Sequence, residues 1–135
     1  MENCIFCKII KGEIPSYKIY EDDKVYAFLD IARDAAGHTL VIPKKHCTNV
    51  LDCDKAYLDA VIEATQKIAK HYVDDCGFTG VNILNASGES AQQSVFHLHF
   101  HIVPRKEGDG LNMWPLEGER EMDLAAICKQ LTLLK

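Results

Sequence analysis

The sequence predicts an α+β fold: an antiparallel five-stranded sheet packed against one long helix, with a short helix at each end. Three observations carry this. β-rich runs fall into a group of three and a group of two. One long stretch of helical periodicity separates the groups, an order β-β-β-α-β-β that lacks the strand–helix alternation of a parallel sheet. The composition, 47% hydrophobic and 26% charged, is that of an ordinary globular chain, and 135 residues fit a single domain over 1–135.

Each element has its own signal. Residues 4–11 (CIFCKIIK) place apolar side chains at 5, 6, 9 and 10, a helical stripe ended by Gly12. Residues 18–21 and 24–29 are β-rich runs flanking Asp22-Asp23, which reads as a hairpin. After a loop over 30–37, residues 38–43 (HTLVIP) form an apolar strand stopped by Pro43. Residues 54–75 carry Leu58, Val61, Ile62, Thr65, Ile68, Ala69 and Tyr72 at helical spacing, with Asp54 as N-cap and Gly77 as the stop. Residues 81–84 form a fourth strand and 85–93 (NASGESAQQ) a polar loop. Residues 94–104 form a fifth strand and about 119–134 a terminal helix.

Composition excludes several roles. A net charge of −5 argues against a bulk nucleic-acid or anionic-membrane binder. No apolar run approaches the ~20 residues that cross a bilayer, and the first residues lack the features of a signal peptide. Six cysteines in a chain of this kind read as reduced thiols in a cytoplasmic protein. Cys4 and Cys7 form a C-x-x-C pair, whose spacing alone suits zinc and equally a redox motif. A thioredoxin-like site needs a preceding strand for which the N-terminus leaves no room, and two reduced thiols without metal are the remaining alternative to zinc.

The chemistry concentrates in 94–104. On a strand, His97, His99 and His101 share one face, while Phe96, Leu98, Phe100 and Ile102 share the other and belong to the core. Neighbouring imidazoles on one face lie about 6.6 Å apart, close enough to bracket one phosphate-sized group. Three titratable rings opposite an apolar face are a poor packing solution and a good reactive one, because imidazole serves as nucleophile, acid or ligand near neutral pH.

The run His97-x-His99-x-His101, with an apolar residue at each x, resembles the signature of the histidine triad (HIT) family of nucleotide-binding proteins. So do Ile5-Phe6-x-x-Ile9, Ala27-Phe28-x-Asp30-Ile31, Gly37-His38-Thr39-Leu40-Val41-Ile42-Pro43-Lys44 and Gln93-Ser94-Val95-Phe96-His97. The resemblance spans 4 to about 105, leaves 106–135 as an extension, and lies nearest the bacterial Hint-like branch. It implies the HIT-like fold and a hydrolase that cuts at the α-phosphorus of purine nucleoside phosphoramidates. His99 would be the nucleophile. His101 would stand near the leaving group, His38 would orient the second ring nitrogen of His99, and Ser94 and Gln93 would donate to phosphate. Asp30 would hold the ribose hydroxyls, Ile5, Phe6, Ile9, Phe28 and Ile31 the base, and Asn85 would contribute near the loop. Some bacterial members carry structural zinc, which here would fall on Cys4, Cys7, His46 and His97. The resemblance also implies a homodimer joined through 54–76 and 80–85.

Gln92 departs from the family pattern, standing where a glycine is usual; Trp114 lies in a stretch that does not match; His71 reads as a surface residue of the long helix. Two further readings stay open, a dinucleoside polyphosphate hydrolase or nucleotidylyltransferase of the same superfamily and a non-catalytic nucleotide sensor.

Overall fold

The computed structural model describes residues 3–113 and 118–133, so Trp114 and the end of the expected terminal helix at 134 lie outside the described residues. The elements run α1 (Ile5–Ile10), β1 (Lys18–Glu21), β2 (Val25–Leu29), β3 (Thr39–Pro43), α2 (Lys55–Asp75), β4 (Gly80–Leu84), a single 3-10 turn at Glu89–Ala91, β5 (Phe100–Arg105) and α3 (Leu124–Leu131). The strands form one five-stranded antiparallel sheet, as the sequence predicts, and their order across it is β1-β2-β3-β5-β4.

Alternation along the strands divides the core in two. Val25, Ala27, Val41 and Ile102 point to one face, where Val61, Ala64, Ile68 and Tyr72 of α2 cover them. Tyr26, Phe28, Leu40 and Ile42 point to the other, where Phe6 and Ile9 of α1 close over them. Fully burying a side chain such as Phe6 contributes about 2–3 kcal/mol, so a helix of only six residues is held by its apolar stripe rather than by its own propensity. Cys4 caps that helix, its Sγ accepting from the Cys7 amide at 3.4 Å. α1 covers only part of its face, and the uncovered remainder carries the histidines.

The hairpin turn is fixed by Asp22, whose Oδ1 accepts from the amides of Lys24 and Val25 at 2.9 and 2.8 Å. Asp54 stands at the N-cap of α2 but makes no capping bond, because its carboxylate pairs with Lys45. α3 is shorter than the periodicity suggests, capped by Asp123, and buries none of its residues.

The fifth strand departs most from expectation. It starts at Phe100 and not at Ser94. Its ladder with β3 ends at the pair Val41↔Phe100. Beyond that pair the acceptor a strand would use, the Pro43 carbonyl, takes a hydrogen bond from His97 Nε2 at 2.9 Å instead, and the Leu98 amide donates to the Cys47 carbonyl at 2.9 Å. Pro43 has no N–H to offer in return. The chain bends at 95–97, and Phe96, expected in the core, is 47% exposed.

Candidate active site and metal-ligand cluster

A cavity of about 320 Å³ opens on the face α1 leaves bare. Its apolar wall is built from Ile5, Phe6 and Ile9 of α1 with Phe28 and Leu40 of the sheet; its polar end carries Asp30, Ser94, His99 and His101. Ile31, also expected at the base, stands at the rim and is 79% exposed. An apolar slot ending in a few convergent polar groups is the usual form of a small-molecule site. The ring of Phe6 stands nearly perpendicular to those of His97 and His99 at centroid distances of 5.8 and 5.2 Å. The triad therefore keeps to one side even where the strand has ended.

The hydrogen bonds fix where the ring protons sit. His99 Nδ1 lies 2.8 Å from the His97 carbonyl oxygen, which can only accept. Nδ1 therefore carries the proton and Nε2 the lone pair. Among the described residues no hydrogen bond engages His99 Nε2, and no buried side-chain nitrogen or oxygen lacks a partner, so this nitrogen is reachable from the cavity. Burial pushes the pKa of His99 below its ordinary value, which keeps the ring neutral. Burial, then the neighbouring His99 and His38 rings, push His101 down to about 4.

Three residues sit differently from expectation. His38 bonds His101, not His99: its Nε2 is 2.9 Å from His101 Nδ1, and the backbone carbonyl does the orienting of His99 expected of His38. Gln93 has no amide proton left for a phosphate. Its Nε2 donates to the carbonyls of Thr48 and Val95 at 2.7 and 3.0 Å, and its Oε1 accepts from Asn49 and Gly88. It ties the loop to the 48–49 turn. Asn85 lies outside the cavity lining and donates to the carbonyl of His99 at 3.0 Å, holding that residue's backbone. Ser94 lines the cavity from an exposed position. Asp30 lines it too, with Oδ1 on the Ala32 amide at 2.8 Å. Gln92 adopts φ 71° and ψ 29°, so the left-handed turn a glycine would take is kept without one. His71 is exposed and bonded to Asp75. Sequence reasoning missed Asp34, whose Oδ1 lies 2.8 Å from His38 Nδ1; no helical periodicity surrounds it to signal an i,i+4 contact.

A second cluster lies behind the first. Cys4, Cys7, His46 and His97 bring their ligand atoms within 4.8 Å of one another. His97 donates through Nε2 to Pro43, so Nδ1 keeps its lone pair and points at the cluster. Burial pushes this ring down to about 4 and pushes the Cys7 thiol up. A tetrahedral zinc with typical bond lengths separates sulfur from nitrogen by about 3.6 Å and nitrogen from nitrogen by about 3.3 Å. Here Sγ of Cys4 and Cys7 lie 3.3 and 3.5 Å from His97 Nδ1, Cys7 Sγ lies 3.5 Å from His46 Nδ1, and the two Nδ1 atoms are 3.2 Å apart. The donor set and its spacing fit the ion. Asp30, His38 and His101 also converge, but the 2.9 Å between the two rings is a hydrogen bond, too short for two ligands of one zinc.

The profile of the HIT domain family matches residues 11–108. The chain belongs to the HIT domain family. It is 54% identical over 110 residues to Protein hit of Bacillus subtilis, covering 81% of this chain and 76% of that one. It is 44% identical over 121 residues to the adenosine 5'-monophosphoramidase HNT1 of Candida albicans, covering 85% and 80%. Among solved structures, a zinc-bound histidine triad family protein from Mycobacterium smegmatis superposes with a TM-score of 0.78 at 36% identity, covering 96% of both chains. With these relatives the chain stands among the enzymes of the HIT family. Among the described residues no helix is long and apolar enough to cross a membrane.

Proposed function

We propose that this HIT protein hydrolyses purine nucleoside phosphoramidates through a covalent nucleotidyl group on His99. One observation carries the reading: the proton of His99 is held on Nδ1 by a main-chain carbonyl, which leaves a neutral Nε2 lone pair at the polar end of an apolar cavity. Nε2 attacks the α-phosphorus, and the P–N bond breaks with its electron pair leaving on the amine nitrogen. That nitrogen takes a proton from His101 Nε2 in its protonated form. Water then attacks the phosphorus and gives its proton to His101 Nε2, and the bond to His99 breaks with its pair returning to the ring. The Ser94 hydroxyl donates to a phosphate oxygen as charge builds there, Asp30 accepts from the ribose hydroxyls, and the base lies between Phe6, Ile9 and Phe28. Ser94 and Val95 also line a wider cleft of about 640 Å³ that gives the leaving group room.

The reading extends to a structural zinc on Cys4, Cys7, His46 and His97, supported by the spacing of their ligand atoms. When bound, the ion supplies a crosslink from α1 to the segment ahead of His99 and has no open position for water. It extends also to a homodimer through α2 and the edge strand β4, where Ile62, Val73 and Ile83 are exposed.

The test is turnover of an adenosine phosphoramidate by the purified protein beside His99→Ala. The variant is expected to lose at least about a thousandfold in kcat while binding adenosine monophosphate within a few-fold of the parent. Retained turnover in His99→Ala, or a folded parent that binds the nucleotide and turns nothing over, overturns the reading.

A further inference from the structure

We propose that Asp34 is a positioning residue for this reaction, setting the tautomer of His38 and, through it, which kind of nitrogen His101 presents to the cavity. The inference rests on the reading of His99 as nucleophile and His101 as its proton partner.

The chain of contacts has one direction. The bond from His38 holds the Asp34 carboxyl below the usual carboxylate range, so the group is ionised and can only accept. Its Oδ1 lies 2.8 Å from His38 Nδ1, which must therefore carry the proton. In the neutral ring Nε2 is then an acceptor. Nε2 lies 2.9 Å from His101 Nδ1, so the His101 proton sits on Nδ1 and its Nε2 keeps a lone pair. No hydrogen bond among the described residues engages that last nitrogen, and no buried side-chain nitrogen lacks a partner, so it is the one the cavity reaches. Asp30 does not compete for the relay, since its Oδ2 is 3.8 Å from His38 Nε2, beyond hydrogen-bond reach.

The contact comes from the loop between Asp30 and β3 and not from a helix. Arg33 at φ 59° and Gly37 at φ 87° turn the chain back, and the His38 amide closes on the Ala35 carbonyl at 3.1 Å. Asp34 thereby reaches a ring only four residues on.

Without Asp34, His38 Nδ1 meets water and the opposite tautomer becomes available. His38 would then donate from Nε2 to His101 Nδ1 and drive the His101 proton onto Nε2. The cavity nitrogen would change from acceptor to donor. An acceptor is what the second half-reaction needs, because the attacking water must give up its proton there. The Asp34 side chain is 57% exposed and acts through two rings, so its removal is expected to cost about tenfold in kcat, far less than loss of a triad carboxylate buried against its histidine.

Two measurements on the full chain decide it. Nitrogen-15 spectra of the histidine rings in the parent should show His38 and His101 both protonated on Nδ1, and Asp34→Ala should move both toward the Nε2 form. With adenosine phosphoramidate, Asp34→Ala should lower kcat about tenfold at a KM within twofold, with the covalent nucleotidyl enzyme accumulating, and Asp34→Glu should recover part of the loss. A parent His38 protonated on Nε2, an unchanged spectrum in Asp34→Ala, or an unchanged kcat overturns the proposal. If the parent turns nothing over, the hydrolase reading fails, and the tautomer claim stands or falls on the ring spectra alone.

Discussion

His101 makes the fold sensitive to acid, and the size of the effect can be worked from its surroundings. An unfolded histidine titrates near 6.5, whereas burial and two neighbouring imidazoles hold His101 at about 4. Between those values the unfolded chain binds a proton that the folded chain refuses. Stability therefore rises with pH across the window 4 to 6.5, is whole above it, and is lost as pH falls toward 4. For a fully buried ring the loss between pH 7 and pH 5 is about 2 kcal/mol. His101 is only partly buried and borders the cavity, so solvent screening reduces this to about 1 kcal/mol. In a chain of 135 residues that is a fall of about 3–4 K in Tm. Other groups titrate in the same window, so the measurement is a difference. Urea midpoints of the parent and of His101→Asn are taken at pH 7 and pH 5, and the parent should lose about 1 kcal/mol more than the variant. Equal losses would refute the reasoning, because they would mean that the ring takes up its proton as readily folded as unfolded.

Two further outcomes follow from backbone and ligand geometry. Gln92→Gly should stabilise the protein by up to about 1 kcal/mol, read from urea midpoints. The substitution removes the cost of a side chain at φ 71°, about 1–2 kcal/mol, against an entropic loss of about 0.4–1 kcal/mol. Cys4→Ser keeps a side chain able to cap α1 and removes one thiolate, so it should abolish the expected one zinc per chain and lower Tm by about 10 K. Equal zinc content in parent and variant would count against the cluster.

Four strands and the long helix were legible because their signals are local. β2 and β3, buried on both faces, read as short apolar runs between turn residues, and α2 buries Val61, Ala64, Thr65, Ile68, Ala69 and Tyr72 at helical spacing. The start of β5 was not legible. Nothing in the pattern of 94–99 says that an imidazole will take the Pro43 carbonyl and end the ladder, because that exchange depends on where Cys4 and Cys7 draw His97. The cavity wall of Phe6, Ile9 and Phe28 and the gathering of His97 with two cysteines and His46 were implied by the family resemblance and not by spacing, which pointed only to the Cys4–Cys7 pair. The partners of His38, Gln93 and Asn85 were not legible. Each is set by a loop that returns to a strand end, and a polar residue in such a loop looks the same whether it faces ligand or scaffold.

The carbonyl that holds the His99 proton belongs to the main chain, and no single codon change can delete it. The proton on His101 is held at two removes by a carboxylate that one codon change does remove. Inheritance therefore has unequal purchase on the two rings. Lineages can drift in the tautomer of His101, one substitution at a time in the loop before β3, while the free nitrogen of His99 stays fixed for as long as the residue ahead of Leu98 has a backbone.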